Sequence, residues 1–193
     1  MIIIKKYTDN NCKIAVWNMC ESLDELLQLD KQHDLLALKT EKRKKEFLAS
    51  RLLLNELAPN QQITYNKYGA PELENGKFIS ISHSKNLVAI IVGNQKVGLD
   101  IEQISEKALR TASKFILEAQ QQNITAEKAT LIWCSKEAIF KWYQKGGVDF
   151  KDDIHLDSFV LSEKGKINAN FKKQSLILNY QKINNHYLVY VCK

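Results

Sequence analysis

Hydrophobic and polar positions recur along the chain with two periods, one of two residues and one of three to four, which predict strands and helices. A helical pattern begins at Leu23 and breaks near Asp30, and a stronger one is ended by Pro59. Gly69 and Pro71 mark a turn between two short strand patterns. In chain order, the elements predicted for the first half are strands over 2–7 and 14–19, helices over 23–38 and 40–57, and strands over 63–65, 78–82 and 87–92.

The second half of the chain repeats this rhythm without repeating the sequence. A long helical pattern starts after Thr125, a predicted N-cap, and ends before Gly146. The other elements predicted here are strands over 97–101, 156–161, 166–171, 176–180 and 187–192, and a helix over 105–115. Helices mixed with mainly hairpin-linked strands indicate an α+β fold. We predict two halves of similar content, residues 1–95 and 96–193, with the cleft between them as the natural ligand site.

The composition excludes several classes of protein. With 193 residues, 45% of them hydrophobic, the chain can form one or two compact domains with an ordinary core. No apolar run approaches the roughly 18 residues that a membrane-spanning helix needs. The chain starts with apolar residues before charged ones, the reverse of a secretory signal. We therefore expect a cytoplasmic protein without membrane partners.

The cysteines indicate a reducing environment. Cys12, Cys20, Cys134 and Cys192 have neither CxxC spacing nor partnered histidines. A zinc site is therefore not expected, and four free thiols are predicted.

A net charge of +6 indicates an acidic partner, which can be a nucleic acid, a phosphorylated ligand or an acidic protein. Much of the positive charge lies on or just before the helix predicted over 40–57, at Lys39, Lys42, Arg43, Lys44, Lys45 and Arg51. Arg43, Phe47 and Arg51 are spaced four residues apart, so both arginines can hold a phosphate on one face. The alternatives for this helix are a solvated basic face or a patch that binds nucleic acid.

Two carboxylates, Asp100 and Glu102, stand two residues apart on a predicted strand and therefore share one face. Such a pair repels itself unless a cation lies between the two groups. Mg²⁺ is the natural candidate because it takes hard oxygen ligands and completes its shell with water and phosphate. The alternative is an ordinary solvated strand face.

The helix predicted after Thr125 is apolar on most sides, so its charged residues are unusual. Trp133, Glu137 and Lys141 share one face at four-residue spacing. An acid and an amine on this face suit chemistry on a phosphate. The alternative is a common surface ion pair between Glu137 and Lys141.

His83 stands between two serines, Ser82 and Ser84, at the end of a predicted strand. It can bind phosphate, act as an acid or base, or serve as a structural residue of the turn. The chain has neither the G-x-S-x-G elbow of serine hydrolases nor a glycine-rich phosphate loop. Any bound phosphate must therefore be held by side chains and a metal.

In combination, these motifs resemble the 4′-phosphopantetheinyl transferases of the surfactin-synthetase-activating type. The resemblance runs from about Lys39 to Phe159 and rests mainly on the two acidic motifs. The matching segments are Gly69-Ala70-Pro71, Ser82-His83-Ser84, Gly98-Leu99-Asp100-Ile101-Glu102 and Trp133–Lys141.

The resemblance implies a pseudo-twofold pair of α+β halves with coenzyme A in the cleft between them. It implies transfer of the phosphopantetheine arm to a serine of an acyl, peptidyl or aryl carrier protein, with release of 3′,5′-ADP. Asp100, Glu102 and Glu137 would hold Mg²⁺, and Glu137 would also accept the serine proton. Lys141 and Lys136 would neutralise phosphate charge. The residues implied to contact coenzyme A are Arg43, Arg51, Ser82, His83, Lys136 and Lys141. A self-contained cleft favours a monomer.

Two departures from the family pattern affect these expectations. Ala70 stands where the family usually has a lysine that contacts the coenzyme. One phosphate contact is therefore missing, or is supplied by Lys67 or by a residue of the basic helix. Lys114-Phe115-Ile116 stands where the family often has Arg-Phe-Phe, in a region that lies toward the carrier protein. The sequence does not identify the carrier. The resemblance implies coenzyme A and a carrier protein as partners and no nucleic acid. Two other functions stay open: a nucleic-acid-binding module, and a non-catalytic protein that binds coenzyme A or a carrier.

Overall fold

Two antiparallel sheets form the frame of the computed structural model, which describes residues 3–9, 11–30 and 35–193. The first sheet has the strand order β1-β2-β6-β5-β4-β3, with β1 Ile3–Asp9, β2 Cys12–Asn18, β3 Ile63–Tyr65, β4 Pro71–Leu73, β5 Phe78–Ser84 and β6 Leu87–Gly93. The second has the order β7-β11-β10-β9-β8, with β7 Val97–Gln103, β8 Ile154–Leu156, β9 Lys164–Phe171, β10 Gln174–Ile183 and β11 His186–Cys192. The α-helices are α1 Leu23–Leu29, α2 Glu41–Leu57, α3 Glu106–Arg110, α4 Glu118–Gln121 and α5 Ala126–Tyr143.

Side-chain alternation along the central strands builds four layers, helix–sheet–sheet–helix. On β6, Val88 and Ile90 pack in the same cluster as α2, whereas Ala89 and Ile91 face the second sheet. The apolar cluster between the two sheets, the seam core, is formed by residues 12, 14 and 16 of β2, 87, 89 and 91 of β6, 97, 99 and 101 of β7, and 188 and 190 of β11. The predicted α+β fold with two similar halves is confirmed.

The long helices begin at hydroxyl caps. The side chain of Thr40 accepts a hydrogen bond from the Arg43 backbone N–H at 3.3 Å, and Thr125 does the same for Lys128 at 3.2 Å. These bonds satisfy backbone donors that have no partner within the helix. The predicted N-cap of α5 is confirmed, and the helix ends where Gln144 adopts a left-handed conformation.

Three predicted elements are wrong in extent. The helix predicted over 23–38 ends at Leu29, and part of its remainder, 31–34, lies outside the described residues. The helix predicted over 105–115 is the short α3 followed by a 3₁₀ turn over Ala112–Lys114. The strand predicted over 156–161 is only β8, because Phe159 and Leu161 pack against the core without continuing the strand.

The cysteine prediction needs correction. Cys12 and Cys192 form a disulfide between β2 and β11, so the prediction of four free thiols is wrong for this pair. Cys20 and Cys134 are free, as predicted. The spacing of the cysteines did not indicate this disulfide, because its two residues lie 180 positions apart in sequence and come together only at the seam core. None of the helices in the described part of the chain is both long and apolar enough to span a membrane.

Gly98 allows α5 to lie directly on β7. A Cβ atom at this position would stand 2.0 Å from the Ala138 carbonyl oxygen and 2.6 Å from the Trp142 backbone nitrogen. Backbone atoms of a packed helix cannot yield as the end of a flexible side chain can. The glycine therefore sets the distance between α5 and the face of β7 that carries Asp100 and Glu102.

We expect Gly98→Ala to lower the free energy of unfolding by about 1–3 kcal/mol, because the added methyl group overpacks this contact. The measurement is chemical denaturation of both proteins. Gly146→Ala is the matched control, since a Cβ there would meet only one ring atom, of Tyr68, at 3.8 Å. Equal stability of wild type and Gly98→Ala would contradict this account of the contact.

Candidate functional site

A cavity of about 580 Å³ lies between α2, β5 and the end of α5. Residues from both halves of the chain line it, and its walls combine basic and aromatic side chains. Those with charged or aromatic side chains are Lys39, Arg43, Glu46, Phe47, Arg51, Tyr65, Tyr68, His83, Phe140, Lys141 and Lys145. The size and the basic side chains of the cavity suit a phosphorylated ligand.

The basic wall comes from α2, where four-residue spacing brings Arg43 and Arg51 to the same cavity, as predicted. The guanidinium of Arg51 stacks 3.6 Å from the centre of the Phe47 ring and donates to the Tyr65 hydroxyl at 3.3 Å. Arg43 pairs with Glu46 at 3.2 Å. These contacts hold the two cations in place with their remaining N–H donors available to an anion.

Strand alternation divides the Ser-His-Ser motif between two faces of β5. Ser80, Ser82 and Ser84 point toward β7: Ser80 accepts from the Leu99 backbone N–H at 3.0 Å, and Ser84 accepts from that of Gln103 at 3.0 Å. His83 lies on the opposite face, toward α2 and the cavity. Serines in this strand therefore join the two sheets, while the histidine faces the ligand space.

Burial lowers the pKa of the His83 imidazole to about 4, although the neighbouring Glu46 acts in the opposite direction. The imidazole is therefore neutral at pH 7 and supplies hydrogen bonds rather than charge. Its buried Nε2 atom has no hydrogen-bond partner among the described residues. A ligand in the cavity can supply that partner.

Asp100 is the centre of a hydrogen-bonded group that spans the two halves. Its Oδ1 atom accepts from Lys141 Nζ at 2.7 Å and from the Ser82 hydroxyl at 2.7 Å, and Lys141 also donates to Ser82 at 2.9 Å. Only 3% of Asp100 is exposed. Its other oxygen, Oδ2, is buried and has no partner within the described ranges.

Two more carboxylates interact with Asp100. Burial raises the pKa of Glu137 to about 7, and repulsion from Asp100 adds to this effect. Burial also raises the pKa of Glu102, again with a contribution from Asp100. Burial alone would lower the pKa of Lys141, but the charge and hydrogen bond of Asp100, together with the charge of Glu137, more than offset this, and the pKa lies above its usual value. The group holds three acids against one ammonium ion, so it attracts further positive charge.

Lys136 does not join this group. Its ammonium donates to the carbonyl oxygens of Phe150 and Ile154, both at 2.6 Å, and it lines a separate cavity of about 220 Å³. Burial lowers its pKa to about 8. Four-residue spacing puts Trp133, Glu137 and Lys141 on one helix face, and Lys136 points away from that face. The expectation that Lys136 meets coenzyme phosphates has no support in this geometry, which gives it a structural role between α5 and β8.

Sequence reasoning missed three features of the site. Tyr65 and Tyr68 line the cavity, but a strand end and a turn gave no reason to single them out. Trp133 donates through its indole Nε1 to Glu102 Oε1 at 3.3 Å, and the shared helix face was the only signal of this contact. Ser82 bonds to Asp100 and does not line the cavity, and the alternation along β5 could have separated it from His83.

The donor set fits a hard divalent cation in its chemistry, although it is not assembled around one point. Carboxylate oxygens are the ligands that Mg²⁺ prefers, and the buried Asp100 Oδ2 lacks a partner within the described part of the chain. Among residues 3–9, 11–30 and 35–193, however, no three His, Cys, Asp or Glu side chains are placed to hold a metal ion. Lys141 is the cation in contact with Asp100 in this state.

Comparison with known proteins agrees with the motifs. Residues 96–192 match the 4′-phosphopantetheinyl transferase superfamily, and residues 31–93 match the 4′-phosphopantetheinyl transferase N-terminal domain. The chain is 32% identical over 111 residues to the 4′-phosphopantetheinyl transferase gsp of Aneurinibacillus migulanus. This alignment covers 52% of this chain and 47% of that protein. It is 27% identical over 149 residues to enterobactin synthase component D of Salmonella typhi, covering 71% of this chain and 61% of that protein.

These alignments thus span about half to three fifths of the length of the curated relatives. The superfamily match takes in half of this chain and includes both acidic motifs. The chain belongs to the 4′-phosphopantetheinyl transferase superfamily.

Proposed function

We propose that this protein transfers the 4′-phosphopantetheine arm of coenzyme A to a serine of an apo carrier protein. The products are the holo carrier, of acyl, peptidyl or aryl type, and 3′,5′-ADP, and the reaction requires Mg²⁺. One observation carries the proposal: Asp100, Glu102, Glu137 and Lys141 form one interacting group beside a basic cavity at the junction of the two halves. Family membership and the names of both relatives support the same chemistry.

The basic cavity is the proposed coenzyme A site. Arg43 and Arg51 supply charged donors for its phosphates, and the neutral His83 supplies a hydrogen bond from the opposite wall. Ala70 lines this cavity without offering a charge, and Lys39 and Lys145 line it too. We therefore assign the phosphate contact of the missing lysine to these two residues rather than to Lys67, whose ammonium lies 5.1 Å from the centre of the Tyr68 ring.

Asp100, Glu102 and Glu137 are the proposed Mg²⁺ ligands, because carboxylate oxygens are the ligands that this ion prefers. Bound there, Mg²⁺ would neutralise charge on the coenzyme pyrophosphate and on the departing ADP. Lys141 contacts Asp100 and also lines the cavity, so we assign its ammonium to an incoming phosphate. Its charge then opposes the negative charge that develops as the phosphate bond breaks.

Glu137 is the proposed general base. The carrier serine oxygen attacks the phosphorus that bears the pantetheine arm, the bond from that phosphorus to the oxygen of the 5′-phosphate of 3′,5′-ADP breaks, and a Glu137 oxygen takes the serine proton. A base works best when its pKa lies close to the operating pH, and burial brings the pKa of Glu137 to about 7. The basic surface of the protein suits an acidic carrier.

A coenzyme-binding protein without activity is the second candidate, because Ala70 removes one cation from the wall of the cavity. The division into residues 1–95 and 96–193, the monomeric state, the cytoplasmic location and the absence of nucleic-acid partners stay predictions from the sequence. A transfer assay separates the two candidates.

We expect mass spectrometry to detect one added phosphopantetheine on an apo carrier protein incubated with coenzyme A, Mg²⁺ and this protein. A chelator should abolish the gain. Glu137→Gln should slow the reaction by about 100-fold or more, because no carboxylate then accepts the serine proton. Glu163→Gln is the control, since 81% of its side chain is exposed. If several unrelated apo carriers all stay unmodified by the wild type, the transferase proposal fails and the binding protein stands.

A second expectation concerns stability without metal. The folded protein raises the pKa of Glu137 from 4.5 to about 7, so it holds a proton that the unfolded chain has already lost. The free energy of unfolding should therefore fall as the pH rises through this window. Denaturation of chelator-treated protein between pH 4.5 and 7 measures this slope. We expect a smaller slope in Glu137→Gln, and an unchanged slope in that variant would contradict the assignment.

A further inference from the structure

The indole of Trp133 makes a directed contact with one of the acidic residues. Its Nε1 atom donates to Glu102 Oε1 at 3.3 Å, across the space between α5 and β7. Trp133 lies one helical turn before Glu137, on the same face of α5. The tryptophan therefore touches one proposed metal ligand and is on the same helical face as another.

Aromatic packing fixes the orientation of this indole. The ring of Phe150 stacks on it at a centroid distance of 5.3 Å and an interplanar angle of 24°, and the ring of Phe115 packs at 5.0 Å. Phe150 in turn contacts Phe140, which lies on α5 like Trp133, at a ring-centroid distance of 5.5 Å. An indole held between two rings has little freedom to rotate, so the direction of its N–H group is set before any ligand arrives.

The Glu102 carboxylate depends on a fixed hydrogen-bond donor more than the Asp100 carboxylate does. Asp100 has a short side chain that Ser82 and Lys141 hold from two sides. Glu102 has one more rotatable bond, and β7 fixes only its backbone, through pairing with Tyr187 on β11. Repulsion from Asp100 also tends to push the two carboxylates apart. A fixed donor on Oε1 counters that tendency.

We propose that Trp133 is a positioning residue: its indole N–H holds the Glu102 carboxylate in the orientation from which it joins Asp100 and Glu137 around a divalent cation. This inference rests on the proposed function, in which those carboxylates bind Mg²⁺. Outer partners that orient a metal ligand typically contribute roughly 10- to 100-fold to metal affinity. The indole N–H, and not ring packing alone, carries this role.

The first test observes the hydrogen bond directly, without metal or substrate. The chain has three tryptophans, so protein labelled with ¹⁵N-tryptophan gives three indole N–H resonances, which Trp17→Phe and Trp142→Phe help to assign. We expect Glu102→Gln to shift the Trp133 resonance and to leave that of Trp142 in place, because the Trp142 indole donates to the Lys193 carbonyl at 3.2 Å. A Trp133 resonance that does not move overturns the inference.

The second test measures Mn²⁺ affinity by electron paramagnetic resonance, with coenzyme A present and no carrier protein. Trp133→Phe keeps an aromatic ring between Phe115 and Phe150 but removes the N–H donor. We expect it to weaken Mn²⁺ binding by roughly 10-fold or more. Trp142→Phe, on the same helix, should bind as the wild type does. In protein that already carries Glu102→Gln, adding Trp133→Phe should not weaken Mn²⁺ binding further, because the indole N–H acts through the Glu102 carboxylate.

The possible results separate this inference from the proposed function. If the wild type modifies a carrier and binds Mn²⁺ but Trp133→Phe binds it equally well, the positioning role is wrong and the transferase stands. An equal loss of affinity in the wild-type and Glu102→Gln backgrounds also overturns the role, since the tryptophan would then act through packing. If the wild type modifies no carrier, the proposed function fails, and the role assigned to Trp133 in it fails too, even where the resonance shift is observed.

Discussion

The site depends on the direct contact between α5 and the backbone of β7 at Gly98. A side chain there would meet the Ala138 carbonyl, so only glycine allows the helix to lie this close to the strand. The contact fixes the register of the two elements, and with it the distance from Asp100 on the strand to Glu137 and Lys141 on the helix. Both acidic motifs therefore act as one unit, although about thirty residues separate them in sequence.

The close approach has an electrostatic cost that the structure offsets only in part. Three carboxylates share a mostly buried space, and burial and mutual repulsion raise the pKa of Glu102 and of Glu137. Lys141 compensates one of the three charges through its bond to Asp100. The remaining negative charge favours a further cation beside the three carboxylates, which supports the proposed Mg²⁺ site. In the proposed function, Lys141 is a cation that already lies at the cavity when an anionic ligand arrives.

Several kinds of contact join the two halves. The seam core buries apolar side chains from both sheets, the serines of β5 bond to β7, and the disulfide joins Cys12 to Cys192. Ser82 links this architecture to the site, because its hydroxyl bonds to both Asp100 and Lys141. A change in the packing of the sheets would therefore move the charged group as well as the ligand cavity.

Much of the fold and of the site could be predicted from the sequence, where short-range geometry decides the outcome. The two-residue period put Asp100 and Glu102 on one strand face, and the helical period put Trp133, Glu137 and Lys141 on one helix face, because backbone geometry fixes these relations locally. The helix predicted over 105–115 and the strand predicted over 156–161 were wrong in extent, since local preference yields to packing. Three contacts were decided only by the tertiary structure. Lys136 donates hydrogen bonds to backbone carbonyls, Cys12 forms a disulfide with Cys192, and the Trp133 indole donates to Glu102. These contacts join elements far apart in the chain, and their distances depend on how the helices and sheets pack.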